Sequence, residues 1–395
     1  MRAPLAAMHS AKTREFGGRL LAMLTGNVLT QLIAIGHRTG LFDAAASGSA
    51  TVAELAARAG LDERYVREWA GAMVAGGILD YEPGASRYRL PPEHAPLLAG
   101  AGASNVGPAA NMLGTLAAVL PSVARCFTEG GGVPHAEYAA VAGAALGDSW
   151  RQIYDEQLIS GFLPLVAGLL DRLEAGVRVL DLGCGTGHAI NLMAERFPRS
   201  RFVGLDLAPA AIALAEAERA ELGLTNASFT VADATELTAE PGYDVVLAFD
   251  AIHDQREPAT VLRRIRQALA VDGVFVMVDA DFSSHLENNL DNPYAALSYG
   301  ISLLYCVPTA RAQGGPALGA LWGRELATEL LAGAGFPDVT FHASPRPQNY
   351  LAVCRPTRPR RDSPAGPCGA AGDRSTLADE AVARAEAPDT PAEDQ

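Results

Sequence analysis

Apolar positions recur at helical spacing through the first third of the chain and switch to an alternation of strand and helix patterns after residue 177. Leu29, Leu32, Ile33, Ile35 and Leu41 share one stripe and predict an amphipathic helix over 27–45 that ends near Gly40-Leu41-Phe42-Asp43. Thr51 and Glu54 have the spacing of a capping box, which opens a helix over 52–59 that stops at Gly60. A further helix runs from Asp62 through Tyr65, Val66, Trp69, Met73 and Val74 to Gly76 and Gly77. Two short strand patterns follow, 78–81 and 87–90, with Pro83 and Gly84 between them, and predict a hairpin. Helix, helix, helix, hairpin is the order of a winged helix.

Residues 91–149 are rich in Ala and Gly, with helical patches at 108–126 and 136–145 on either side of a loop at 128–134. The helical period of Ile153, Leu158, Phe162, Leu165, Leu169 and Leu173 predicts one long helix over 150–173. Strands are then expected at 177–182, 200–207, 228–231, 243–249 and 274–279, with helices between them. A helix at 324–334 and two late strands, 339–343 and 349–353, complete the pattern. Alternating strands and helices predict an α/β fold with a doubly wound, mainly parallel seven-stranded sheet, here closed by a final hairpin.

The first of these strands ends in Asp181-Leu182 and runs directly into Gly183, Cys184, Gly185 and Gly187, after which a helix opens at His188. Glycine lets the backbone turn sharply and approach a ligand, and the helix start offers unpaired N–H groups. The spacing G-x-G-x-G differs from the G-x-G-x-x-G of a dinucleotide site, and no Gly-Lys-Ser/Thr follows to hold a triphosphate. Acids also stand at the ends of the next two strands, Asp206 and Asp233. In an open sheet of this kind ligands bind beyond the strand C-termini. Asp206 is placed to accept ribose hydroxyls; the alternative for each acid is a helix cap or a solvated loop.

The glycine turn resembles motif I of class I S-adenosylmethionine (SAM)-dependent methyltransferases. Residues 19–355 as a whole resemble bacterial members with an N-terminal winged helix, through Leu41-Phe42-Asp43, the run 63–69, Ala251-Ile252-His253-Asp254 and Leu321-Trp322-Gly323-Arg324. The segment 305–310 departs from the family's His-Cys-Met type. The resemblance implies a Rossmann-like methyltransferase sheet over 150–355 with a lid insert at 281–323. Before it come a winged-helix dimerisation domain at 19–100 and a helical connector at 101–149, with a flexible terminus at 1–18 and a disordered tail at 356–395. It implies SAM as cofactor, held by Asp181, Gly183, Cys184, Gly185, Gly187, Asp206, Leu207, Asp233, Ala234, Phe249 and Asp250. His253 and Asp254 match the His-Asp in which the histidine serves as base in O-methyltransferases; a histidine that only shapes the pocket is the alternative. Tyr154, Asn289, Tyr299 and Trp322 are the expected contacts to the acceptor, a small molecule methylated most readily on a hydroxyl. C- or N-methylation, or a SAM-binding winged-helix regulator, are the rival readings.

Composition narrows the remaining choices. A net charge of −14 argues against a protein that coats nucleic acid or an anionic membrane, and the arginines of the expected reading helix (Arg64, Arg67) are matched by Glu63 and Glu68. Lys12 is the only lysine, which excludes a lysine base from the folded body. Five scattered cysteines without C-x-x-C indicate neither a disulfide framework nor a zinc site, and the reducing cytoplasm is the expected compartment. No metal is expected; Asp279, Asp281 and Asp291 do not fall where a Mg²⁺ site of catechol-type enzymes would need them. The run 20–35 reads as too short and too polar to span a bilayer. A homodimer is expected from the family.

Overall fold

The computed structural model describes residues 11–142, 148–238 and 242–356. The expected tail, apart from Pro356, and the end of the 136–145 helix lie outside the described residues. The chain forms two compact units, Met1–Ala118 and Val119–Gln395.

In the first unit α1 (Ala11–Arg38) is followed by α2 (Leu41–Ala46), α3 (Val52–Ala59), α4 (Glu63–Ala75), β1 (Asp80–Glu82), β2 (Arg87–Arg89), α5 (Ala95–Leu98) and α6 (Gly107–Leu116). The helix expected over 27–45 ends at Arg38, close to the expected end near 40–43, and Leu41 of the stripe opens a second, short helix. Gly40, at φ 69°, takes the left-handed conformation that breaks them apart. Conversely, α1 starts eight residues inside the stretch expected to be flexible, so at 28 residues it meets the length and composition of a bilayer span, as does Gly107–Glu129. The run 20–35 alone did not. The capping box forms as expected: the Glu54 amide donates to Thr51 Oγ1 and the Thr51 amide to Glu54 Oε2. The hairpin pairs Tyr81 with Tyr88, and Ala50 bridges to Tyr88 from the other side. The small core centres on Phe42 against the edge of Trp69, whose indole N–H donates to the Leu32 carbonyl. Gly36 makes room for both rings, since a Cβ there would stand 2.6 Å from Phe42.

The second unit begins with α7 (Leu120–Glu129), α8 (His135–Ala142) and α9 (Asp148–Ile153). The long helix expected over 150–173 does not exist. A π-helical stretch at Tyr154–Phe162 and a 3₁₀ turn at Leu163–Leu165 carry the chain on from α9, and α10 (Leu169–Ala175) starts afresh after Gly168, at φ 74°. Pro164 cannot continue a regular hydrogen-bond ladder, so the period persists while the helix does not.

Then come β3 (Arg178–Leu182), α11 (His188–Arg196), β4 (Arg201–Asp206), α12 (Pro209–Glu221), β5 (Ala227–Val231), β6 (Tyr243–Phe249), α13 (Pro258–Ala268) and β7 (Leu269–Ala280). The insert carries α14 (Ala295–Ile301) and α15 (Val307–Ala312), and α16 (Gly323–Gly333), β8 (Asp338–Ala343) and β9 (Asn349–Arg355) follow. The sheet order is β5-β4-β3-β6-β7-β9-β8. The first five strands run parallel, and β9 is antiparallel to both neighbours. Successive residues of β3, β6 and β7 point to opposite faces. Leu180, Val246 and Phe275 pack under α13 and α16, while Val179, Val245 and Val274 pack with Ile190 of α11 and with Leu158 and Phe162. Both faces are covered, which explains why these strands read as continuous apolar runs. Chain order reverses direction between β3 and β6, so their C-terminal ends form the switch point where a ligand fits.

Candidate active site

The glycine turn lies at that switch point. Past β3, the Gly183 and Cys184 amides both donate to the Leu205 carbonyl, at 2.7 and 3.1 Å. Gly183 (φ 73°) and Gly187 (φ 72°) are left-handed, and neither has room for a side chain. A Cβ would stand 2.5 Å from the Ala251 Cβ at the first and 2.5 Å from the Ala215 Cβ at the second. Asp206 ties the turn to its own loop: Oδ2 accepts from the Gly185 amide and Oδ1 from the Ala208 amide, both at 2.8 Å. Leu207 beside it is exposed, although large and apolar.

Asp181 is almost fully buried, and its Oδ1 has no hydrogen-bond partner. Burial, and then the neighbouring Asp206 charge, push its pKa up to about 8. A buried polar atom without a partner is costly, so an acid held this way beside an open turn fits a site that receives a donor or a cation from a ligand. Asp233 is differently employed. It caps the turn at Ala234–Glu236, accepting from the Thr235 amide and hydroxyl, and it lies 3.3 Å from Arg256. Burial raises its pKa, but the Thr235 bonds and Arg256 outweigh that and leave it low. The capping alternative is therefore realised in this carboxylate, and Ala234 is buried directly behind it.

Asp250 follows β6 with φ 47°, a left-handed conformation that costs a non-glycine residue energy. Its amide donates to the Val278 carbonyl. Its carboxylate accepts from Asn349 Nδ2 at 2.6 Å, from the Trp150 indole at 3.2 Å and from Arg346 at 3.5 Å. Burial pushes its pKa up to about 6, against the pull of Arg346. Trp150 stacks on Tyr154, both meet Phe249 edge-on, and Arg346 covers the outer face of Trp150. Tyr154 was expected at the acceptor. Its hydroxyl is pushed well above its ordinary pKa by burial and then by the Asp181 and Asp250 charges, so it belongs to the same corner as the glycine turn.

His253 follows β6 and is buried. Its Nδ1 lies 2.8 Å from Oδ1 of the fully buried Asp279 on β7, and its Nε2 lies 3.4 Å from Asp254 Oδ1. Burial alone would lower the imidazole pKa; Asp279 and Asp254 together carry it well above 6.5. Asp254 is itself raised, chiefly by burial. Cys306, from a second π-helical stretch at Ser302–Cys306, brings its thiol against His253 and Asp254, and burial pushes it up to about 12. Alongside, Tyr305 meets His135 at 3.1 Å and packs edge-on against Tyr138.

Two of the expected acceptor contacts, Trp322 and Asn289, are buried side chains. Trp322 is built into the core beneath the sheet. Asn289 is buried and spends its amide on Ser283 and His285, pinning the insert's first turn. Tyr299 is exposed on α14. Asp281 makes a bidentate pair with Arg324 at 2.7 Å.

Asp279, which the sequence sets only against a Mg²⁺ site, has His253 as its partner. The signal was present, as an acid inside an otherwise apolar strand. Cys306, Trp150, Arg346 and Asn349 carried no comparable mark.

Residues 173–323 match the family model for a methyltransferase domain, and residues 27–100 that for an Rv2258c-like winged HTH domain. Trans-aconitate 2-methyltransferase of Methylobacterium radiotolerans is 33% identical over 154 residues, which cover 39% of this chain and 54% of that protein. The chain thus spans about half the length of that curated relative. Among solved structures, an O-methyltransferase family protein from Burkholderia thailandensis has TM-score 0.63 at 18% identity, covering 86% of this chain and 97% of its own. Human N-acetylserotonin methyltransferase in complex with SAM gives the same score, identity and coverage. At this identity the two structures establish a shared fold.

Proposed function

We propose, from the premise that residues 173–323 are a methyltransferase domain of the class I fold and residues 27–100 a winged helix-turn-helix domain, that the chain transfers the methyl group of SAM to a hydroxyl of a small molecule. The cofactor fits the residues present. The bare glycine turn leaves backbone open at the sheet tip, and Asp181 presents a buried, unpartnered oxygen to the cationic methionine end. The remaining lone pairs of Asp206, beyond those taken by the Gly185 and Ala208 amides, serve the ribose, and Leu207 and the turn that Asp233 caps serve the base. SAM supplies an electrophilic methyl group; the rest falls to the protein.

The observation that carries hydroxyl methylation is the buried 2.8 Å pairing of His253 Nδ1 with Asp279. With Nδ1–H donating to Asp279, Nε2 carries the lone pair. It takes the acceptor's proton as the oxygen–carbon bond forms and the carbon–sulfur bond breaks. Two carboxylates beside the ring stabilise the imidazolium that results, which strengthens the base. The Burkholderia thailandensis protein that shares the fold belongs to an O-methyltransferase family, which agrees with this reading. A panel of phenols, alcohols, amines and acidic carbon compounds, assayed with labelled SAM, tests it. Transfer to hydroxyl compounds that is lost in His253→Asn supports the proposal, and transfer only to amines or carbon overturns it.

The first unit serves as a pairing module. Phe16, Leu20, Leu21, Met23, Leu24 and Val28 of α1 are exposed, a face that a second copy of the chain can cover. A Leu21→Arg, Leu24→Arg variant that leaves the mass in light scattering unchanged would remove this role. DNA reading is disfavoured by charge. On α4, Arg64 pairs with Glu68 and Arg67 with Glu63, both at 2.6 Å, while in the wing Arg89 pairs with Asp80. The free thiols at Cys126, Cys184, Cys306 and Cys354 suit a reducing compartment, and we place the enzyme in the cytoplasm.

A further inference from the structure

We infer that His253, Asp254 and Cys306 form a three-ligand site for a borderline-soft divalent cation of the Zn²⁺ type. His253 Nε2, an Asp254 oxygen and Cys306 Sγ lie within 4.8 Å of one another. A tetrahedral zinc with bonds of about 2.0–2.3 Å sets its ligand atoms about 3.3–3.8 Å apart. Nε2 and Asp254 Oδ1 already stand 3.4 Å apart, within that range.

Three further observations point to a ligand. Asp254 Oδ1 is buried and has no hydrogen-bond partner, although it faces the imidazole. Asp279 engages the opposite ring nitrogen, the arrangement by which an outer carboxylate fixes the tautomer of a metal-bound histidine and aims Nε2 at the ion. The donor set of imidazole, carboxylate and thiolate is the mixture that selects zinc-like ions over Mg²⁺ or Ca²⁺. The elements supplying these groups are held independently. His253 and Asp254 follow β6, and Cys306 comes from the π-helical stretch of the insert, where Ser302 Oγ accepts from the Ala320 amide. Three protein ligands leave a fourth position for water or an acceptor oxygen.

The consequence for catalysis rests on the reading of His253 as base. An ion on Nε2 occupies the lone pair that would take the acceptor's proton, so the ion inhibits base-assisted transfer and a chelator restores it. Ion binding does not depend on that reading and is measured apart from it.

The test is a titration of chelator-treated, full-length protein with Co²⁺, followed by Zn²⁺. A near-ultraviolet thiolate-to-cobalt charge-transfer band that saturates at one ion per chain, is displaced by Zn²⁺ and is absent from Cys306→Ser is the expected result. Asp254→Asn should weaken the ion's apparent affinity by more than the roughly 10–100-fold that loss of an outer partner costs, while keeping the band, which covers the case in which the cysteine variant fails to fold. No band, a band that persists in Cys306→Ser, or an Asp254→Asn affinity equal to the parent's overturns the site. Binding without loss of methyl transfer would keep the site and count against His253 as base.

Discussion

His253 and Asp279 face each other across the ends of β6 and β7, Nδ1 to Oδ1 at 2.8 Å, with both side chains sealed from solvent. The histidine's tautomer and direction are thereby set by an acid 26 positions away. A carboxylate so placed raises the ring's proton affinity and leaves Nε2 as the reactive atom.

Removing the ring should slow chemistry and spare donor binding. His253→Asn is expected to lower kcat by about 10²–10⁴, the range of a lost general base, with the Kd for SAM nearly unchanged. Single-turnover rates and calorimetry with SAM check both halves; a kcat within twofold of the parent would end the base role.

The pH profile follows from the same pair. Only the neutral imidazole can accept a proton, and its pKa is raised well above 6.5. Turnover should therefore climb with pH through the raised value rather than level off near 6.5. Asp279→Asn removes the carboxylate that raises it, so the rising limb should move to lower pH while maximal kcat falls. A profile unmoved by Asp279→Asn would show that the acid only fills space.

Asp181 links donor binding to protonation. Its folded pKa of about 8 lies above its ordinary 3.8, so the folded protein holds a proton that the unfolded chain releases. The sign follows: this contribution to stability is full below pH 3.8 and is lost as pH rises to about 8. A cationic donor stabilises the ionised form, so SAM binding near pH 7 should release a proton. Asp181→Asn should weaken SAM binding and abolish the proton release. Calorimetry in buffers of different ionisation enthalpy measures it.

Gly187 tests the turn itself. Ala at a left-handed position, with its Cβ 2.5 Å from the Ala215 Cβ, combines backbone strain with overpacking. Gly187→Ala should cost about 2–4 kcal/mol in denaturant unfolding and impair SAM binding. An unchanged midpoint would mean that the helix pair relaxes freely.

Thr51→Ala removes half of the capping box in the first unit and should cost about 1 kcal/mol there, seen as a lower unfolding midpoint without loss of SAM affinity.

The residues that sequence alone marked were those whose role is local. The strand, glycine turn and helix at 178–196, the Thr51–Glu54 cap and the hairpin at 80–89 are each dictated by neighbours a few positions apart. Periodicity also showed the seven strands, most plainly β3, β6 and β7, which burial on two faces makes apolar runs. Periodicity misled where a backbone breaker outranked it, as at Pro164 and Gly168, since apolar spacing reports which face is buried and not whether the hydrogen-bond ladder continues. What only the tertiary structure decided is which groups meet: Asp279 with His253, Cys306 with both members of the His-Asp pair, Asn349 and Arg346 with Asp250, and Trp322 with the core. Those meetings depend on strand order and on how the insert folds back. One residue's chemical type carries no record of the partner that long-range packing will bring within 3 Å of it.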